Sequence, residues 1–87
     1  MKTFNDLEFK PTNDFRAGIQ ATINFENGYG ASIVRHCFSY GHKDGLYELA
    51  VLDEEGRLTF NTPVTDDVLG WLTEDDVTAA LITIQNL

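Results

Sequence analysis

Ala17-Gly18-Ile19-Gln20-Ala21-Thr22-Ile23-Asn24-Phe25-Glu26-Asn27-Gly28 carries the main structural signal of the chain. Ala17, Ile19, Ala21, Ile23 and Phe25 alternate with polar or small residues, the period of a strand with one buried face. Asn27-Gly28 follows at once, and both residues accept the positive φ of a tight type I′ turn. A second β-like run, Ala31 to Tyr40, comes next, so Arg16 to Tyr40 reads as a hairpin. A two-residue turn sets Glu26 opposite Tyr29, Ile23 opposite Ser32, Ala21 opposite Val34, Ile19 opposite His36 and Ala17 opposite Phe38. Val34, His36 and Phe38 then join Ala17, Ile19, Ala21, Ile23 and Phe25 on the core face. Ala31, Ile33, Arg35 and Cys37 fall on the other face with Gln20, Thr22 and Asn24. A bulge near Gly30 would reverse that assignment for the second strand.

Working outward, Phe4 to Lys10 reads as a short edge strand, and Pro11-Thr12-Asn13-Asp14 as a turn. Gly41 to Asp44 reads as a loop before a strand Leu46 to Leu52, whose Tyr47, Leu49 and Val51 join the core face. Asp53-Glu54-Glu55-Gly56 is a tight turn with Gly56 in the left-handed position. It leads to a last strand, Arg57 to Asn61. A four-residue loop puts Leu58 and Phe60 on the core face, and a three-residue loop with a bulge puts them on the other. After Pro63 the pattern becomes helical. Thr65-Asp66-Asp67 looks like the cap of a short helix, Asp66 to Leu72. Thr73-Glu74-Asp75-Asp76 repeats the signal for a helix over Glu74 to Asn86. Val77, Ala80, Leu81, Ile84 and Leu87 form its apolar stripe. The expectation is an α+β fold: one domain, residues 1–87, an antiparallel meander of four or five strands with one or two C-terminal helices on one face.

Composition narrows the function classes. The chain has 87 residues, a net charge of -8 and fourteen acids against six bases. That balance disfavours direct nucleic-acid binding and anionic membranes. A single cysteine rules out an intramolecular disulfide and fits a reducing, cytoplasmic setting. The mixed charges of Met1 to Pro11 do not make a signal peptide, and no apolar run reaches membrane-spanning length.

Few residues point to chemistry. His36, Cys37 and His42 are the strong soft-metal ligands, but neighbours in a strand face opposite ways and a structural zinc site takes four ligands. A Cys37 nucleophile would need a base and an orienting group that the sequence does not supply. Asp66-Asp67 and Asp75-Asp76 sit where acids cap helices, which accounts for them without catalysis. Gly28-Tyr29-Gly30 and Gly41 to Gly45 lack phosphate-loop spacing. No catalytic residue, cofactor or metal is expected.

Two features remain. From Asp53 onward eight acids face one base, Arg57, a surface able to imitate nucleic-acid phosphates. Tyr29, Tyr40, Tyr47 and Trp71 are of the types enriched in binding hot spots, with core packing the competing account for Tyr47 and Trp71. Apolar residues left on the second sheet face (Ala31, Ile33, Cys37, Leu46, Ala50, Leu52) call for a cover, from the N-terminal segment, a second copy or a partner. The leading expectation is a non-enzymatic interaction module, with a homodimer through that face as one form. The interaction residues are Ile33, Arg35, Leu46 and Leu52, together with Asp66, Asp67, Asp75 and Asp76. An acidic mimic that inhibits a nucleic-acid-binding host protein is the alternative, and a small enzyme ranks last.

Three stretches carry a resemblance: Phe25-Glu26-Asn27-Gly28-Tyr29-Gly30-Ala31-Ser32, Gly45-Leu46-Tyr47-Glu48-Leu49-Ala50-Val51-Leu52 and Thr62-Pro63-Val64-Thr65-Asp66-Asp67-Val68-Leu69-Gly70. Their combined layout resembles small proteins encoded by tailed bacteriophages and prophages. The resemblance implies an accessory role inside the infected cell and brings no functional residues with it.

Overall fold

The computed structural model describes residues 1–12, 17–60, 62–63 and 68–87. Five strands form one antiparallel sheet in sequence order: β1 (Lys10–Pro11), β2 (Ile19–Asn24), β3 (Gly30–Arg35), β4 (Tyr47–Leu52) and β5 (Leu69–Leu72). Among the described residues one α-helix, α1 (Glu74–Gln85), follows. The α+β meander expected from the sequence is the fold observed.

The central hairpin differs in register by one residue. Ile23 pairs with Ala31, Ala21 with Ile33 and Ile19 with Arg35. Asn27 does not take positive φ, while Gly28 does, at 91°. The turn therefore has three residues, Glu26-Asn27-Gly28. It is closed by Phe25 N–H donating to the Tyr29 carbonyl at 2.8 Å and Gly28 N–H to the Phe25 carbonyl at 3.2 Å. This is the type I turn followed by a left-handed glycine, not the two-residue type I′ turn. The Asn27 side chain holds it. Its Nδ2 donates to the Ile84 carbonyl at the end of α1 (2.8 Å), and its Oδ1 accepts from Tyr29 N–H (3.1 Å). One extra turn residue reverses the faces of β3. Ala31 and Ile33 are in the core, and Val34 is on the second face.

β4 keeps its expected facing, with Ile33 opposite Leu49 and Ala31 opposite Val51. A loop of Gly41 to Asp44 alone would pair Phe38 with Tyr47 and His36 with Leu49; these pairs do not form, because β3 ends at Arg35 and the chain turns away. Tyr47, Leu49 and Val51 pack with Ala31, Ile33 and the Val77, Leu81 and Ile84 stripe of α1. Ala80 lies partly buried beside them. The helix starts where the sequence indicates. Thr73 Oγ1 accepts from Asp76 N–H at 3.1 Å and Asp76 Oδ2 accepts from Thr73 N–H at 3.0 Å, a reciprocal cap.

The N-terminal segment is mostly not a strand. Phe4–Asp6 forms a 3-10 turn and only Lys10–Pro11 pairs with β2. The segment covers the core face beside the helix, not the second face. Phe4 N–H donates to Thr78 Oγ1, and Lys2 exchanges two hydrogen bonds with the Gln85 side chain. Phe4, Phe9 and Tyr47 then form a three-ring cluster with centroids 5.3–5.6 Å apart.

Beyond β4 the order of elements also departs from expectation. Of the strand expected over Arg57 to Asn61, the described residues 57–60 contribute one bridge, Leu52 to Leu58, with Thr59 N–H donating to the Val51 carbonyl; Asn61 lies outside the described residues. Paired residues share a face, so Leu58 lies on the second face, the three-residue-loop outcome. Of the short helix expected over Asp66 to Leu72, residues 69–72 are strand β5. Gly70 weakens a helix here, and β4 offers an edge with which Leu69 and Leu72 pair. Asp66 and Asp67 lie outside the described residues.

Candidate functional site

The irregular part of the sheet is at β5. Tyr47 pairs with Leu72 and Leu49 with Leu69, so Gly70 and Trp71 together face Glu48. This is a β-bulge, a device that re-aims a side chain and twists an edge. Trp71 has φ of 59°, left-handed backbone that costs a non-glycine residue roughly 1–2 kcal/mol. Its side chain points outward and the residue is 60% exposed. Core packing, the competing account for Trp71, therefore does not apply, whereas Tyr47 is buried.

The connection from β3 to β4 supplies the second ring. Tyr40 is 58% exposed and stacks on Trp71, with centroids 6.5 Å apart and planes 24° from parallel. Its backbone N–H donates to Glu48 Oε2 at 3.0 Å. The approach of the two segments leaves no room for side chains at two glycines. A Cβ on Gly70 would lie 2.9 Å from Tyr40 Cβ, and one on Gly41 would lie 2.9 Å from Leu46 Cβ and 3.3 Å from Trp71 Cα. A small, largely apolar recess adjoins the pair, lined by Ser39, Tyr40, Gly41, His42, Lys43, Asp44 and Trp71.

The other sequence candidates are dispersed. Ile33 is fully buried in the core. Leu52 is buried on the second face, and Leu46 lies half-buried beneath the β3–β4 connection. Arg35 belongs to the core-face side of β3. Its guanidinium lies 4.9 Å from the Tyr47 ring centroid and Nη1 donates to Tyr47 Oη at 3.2 Å. Asp76 is committed to the helix cap, which holds its carboxyl below the ordinary value through hydrogen bonds from Thr73. Asp75 is exposed in the same first turn. Asp53 likewise shapes its turn, with Oδ1 accepting from Glu55 and Arg57 N–H.

His36, Cys37 and His42 do meet, because the chain leaves the strand at Arg35. They line one recess with Ala17, Gly18, Ile19 and Arg35. Both rings are engaged by backbone. His36 Nδ1 accepts from Phe38 N–H at 3.2 Å, and His42 Nδ1 donates to the Ser39 carbonyl at 3.1 Å. Among the described residues, no cluster of three or more His, Cys, Asp or Glu is arranged to hold a metal ion, and no helix is long and apolar enough to cross a membrane.

No family model, curated protein or solved structure matches the chain.

Proposed function

We propose that the chain is a non-enzymatic protein-interaction module whose contact surface centres on Tyr40 and Trp71. One observation carries the reading: a stacked Tyr–Trp pair stands exposed on a backbone that is strained and close-packed in order to present it. Strain is retained where the surrounding structure enforces it, and such sites concentrate at ligand contacts. Tyr and Trp are also the residues that most often dominate interface energetics. The phage-like layout expected from the sequence would put that partner inside a bacterial cell.

The dimer form of this reading moves with the register. Ile33 and Ala31 are in the core, and Ala50 and Leu52 on the second face are themselves buried, so in this reading a self-contact uses the exposed Tyr40–Trp71 surface.

The test compares wild type with Tyr40→Ala by capture from bacterial lysate and by sedimentation for self-association. Circular dichroism checks that both are folded. The expected result is one partner, or a second copy, that wild type holds and Tyr40→Ala loses. A variant that keeps every interaction of wild type refutes the assignment of this surface.

A further inference from the structure

Charge around the aromatic pair narrows the partner. Lys43 and Asp44 line the adjoining recess, and the Glu48 carboxylate accepts the Tyr40 N–H. Two carboxylates against one ammonium leave this neighbourhood net negative, the same sign as the whole chain at -8. The screening length at physiological salt is about 8 Å, so the local groups dominate, and the global field does not oppose them. An exposed indole face adds a negative quadrupole to the same spot.

An anionic occupant is repelled on both counts. A nucleic acid stacking a base on Trp71 would bring phosphates into this field. A neutral apolar side chain would use the rings and leave the charge unused. A cation uses both. Arginine fits better than lysine, because its guanidinium is planar, weakly hydrated and able to stack on an aromatic face. The fold already contains that arrangement, with Arg35 4.9 Å from the Tyr47 centroid.

We infer that the Tyr40–Trp71 pair, with Asp44 and Glu48 beside it, receives an arginine side chain from a basic segment of the partner protein. The inference rests on the interaction surface proposed above and specifies its chemistry. Lys43, which lines the same recess, opposes it.

Trp71 is the only tryptophan of the chain, so its fluorescence reports from the site itself. The probe is a short end-capped Gly/Ser peptide carrying two arginines, titrated into the millimolar range. A matched peptide carries citrulline, the neutral isostere, at both positions. The arginine peptide should give a saturable change and bind about fivefold to thirtyfold more tightly than the citrulline peptide, the worth of one to two cation–π contacts. Tyr40→Ala should weaken arginine binding in the same range, Asp44→Asn should weaken it, and Lys43→Gln should tighten it. Glu26→Gln, exposed in the β2–β3 turn at the opposite end of β3 from the pair, should leave it unchanged. Calorimetry on Trp71→Phe controls for the optical probe.

Equal binding of both peptides, still lost in Tyr40→Ala, would overturn the arginine assignment and leave the interaction surface standing. Arginine binding undiminished in Tyr40→Ala and Trp71→Phe would place the cation on the general acidic surface and also overturn the inference. The surface itself fails only on the separate capture experiment, when Tyr40→Ala retains the partner.

Discussion

Replacing Trp71 by glycine should give a more stable protein than replacing it by alanine, against the usual order of those two residues. Both changes remove the same stack with Tyr40, a loss of about 0.5–1.5 kcal/mol. They differ in the backbone. At φ of 59° alanine keeps the left-handed penalty of roughly 1–2 kcal/mol and glycine does not. Glycine returns about 0.4–1 kcal/mol through the greater freedom of its unfolded chain. The net advantage of glycine is therefore about 1 kcal/mol. In a domain of this size that is about 4–8 °C in Tm. The assay is thermal and urea unfolding followed by far-ultraviolet circular dichroism, since both variants lack the fluorescent reporter. Ile82, partly exposed on α1, provides the control. There the order should be the ordinary one, with Ile82→Gly below Ile82→Ala by about 1 kcal/mol. If Trp71→Gly is no more stable than Trp71→Ala while the Ile82 pair behaves as expected, the bulge does not strain Trp71. The fold then does not sacrifice stability to present that ring.

The register of the central hairpin predicts that Ile33→Ala costs about 2–5 kcal/mol by urea denaturation, and that Val34→Ala costs less than about 1.5 kcal/mol, since Val34 is on the second face; the opposite ranking would restore the two-residue turn. Asn27→Ala should lower stability by about 1–2 kcal/mol, because it removes the donor to the Ile84 carbonyl and the acceptor of Tyr29 N–H; an unchanged urea midpoint would show that the tie is not formed in solution. The Asp76 carboxyl is depressed in the folded protein by hydrogen bonds from Thr73. Its contribution is present above the ordinary carboxylate value of 3.8 and is lost as pH falls through the lower folded value. Wild type should therefore lose Tm on acidification more steeply than Asp76→Asn below about pH 4, and parallel curves would refute the capping role.

The meander and the final helix were legible in the sequence because each rests on a strong local signal. The Ile19–Ile23 alternation marks β2. The Thr73-to-Asp76 box with the Val77, Leu81 and Ile84 stripe marks α1. The register was not legible from Asn27-Gly28 alone, because the pair suits both a two-residue turn and a three-residue turn with glycine in the left-handed position. Here Gly28 takes that position, and the Asn27 side chain binds α1, 57 residues away in sequence. A parallel signal was available. Asp53-Glu54-Glu55-Gly56 closes in the same way, with Gly56 N–H donating to the Asp53 carbonyl and Asp53 N–H to the Arg57 carbonyl. Read by the same rule, Phe25-Glu26-Asn27-Gly28 gives the three-residue loop and puts Ile33 in the core. Strand β5 was missed for a different reason. Acids after a threonine suggest a helix cap, while pairing of Leu69 and Leu72 with β4 is a long-range event that no local pattern announces.

The candidate surface was hidden by the same kind of competition. Trp71 is the chain's one tryptophan, and a lone tryptophan in a small domain ordinarily fills the core. Here the core is complete without it. Ile33, Leu49, Val51, Val77, Leu81 and Ile84 are essentially inaccessible to solvent, and Phe4, Phe9 and Tyr47 close its flank. With the interior filled by aliphatic side chains, Trp71 is free to be placed by the backbone rather than by burial. The bulge then does two things at once. It turns the indole outward beside Tyr40, and it breaks the regularity of the β5 edge, while Pro11, which has no N–H to donate, ends the strand at the opposite edge. The β5 edge is thus a poor template for another strand, and an interaction there is accordingly expected to run through side chains, above all the two rings, and not through strand addition.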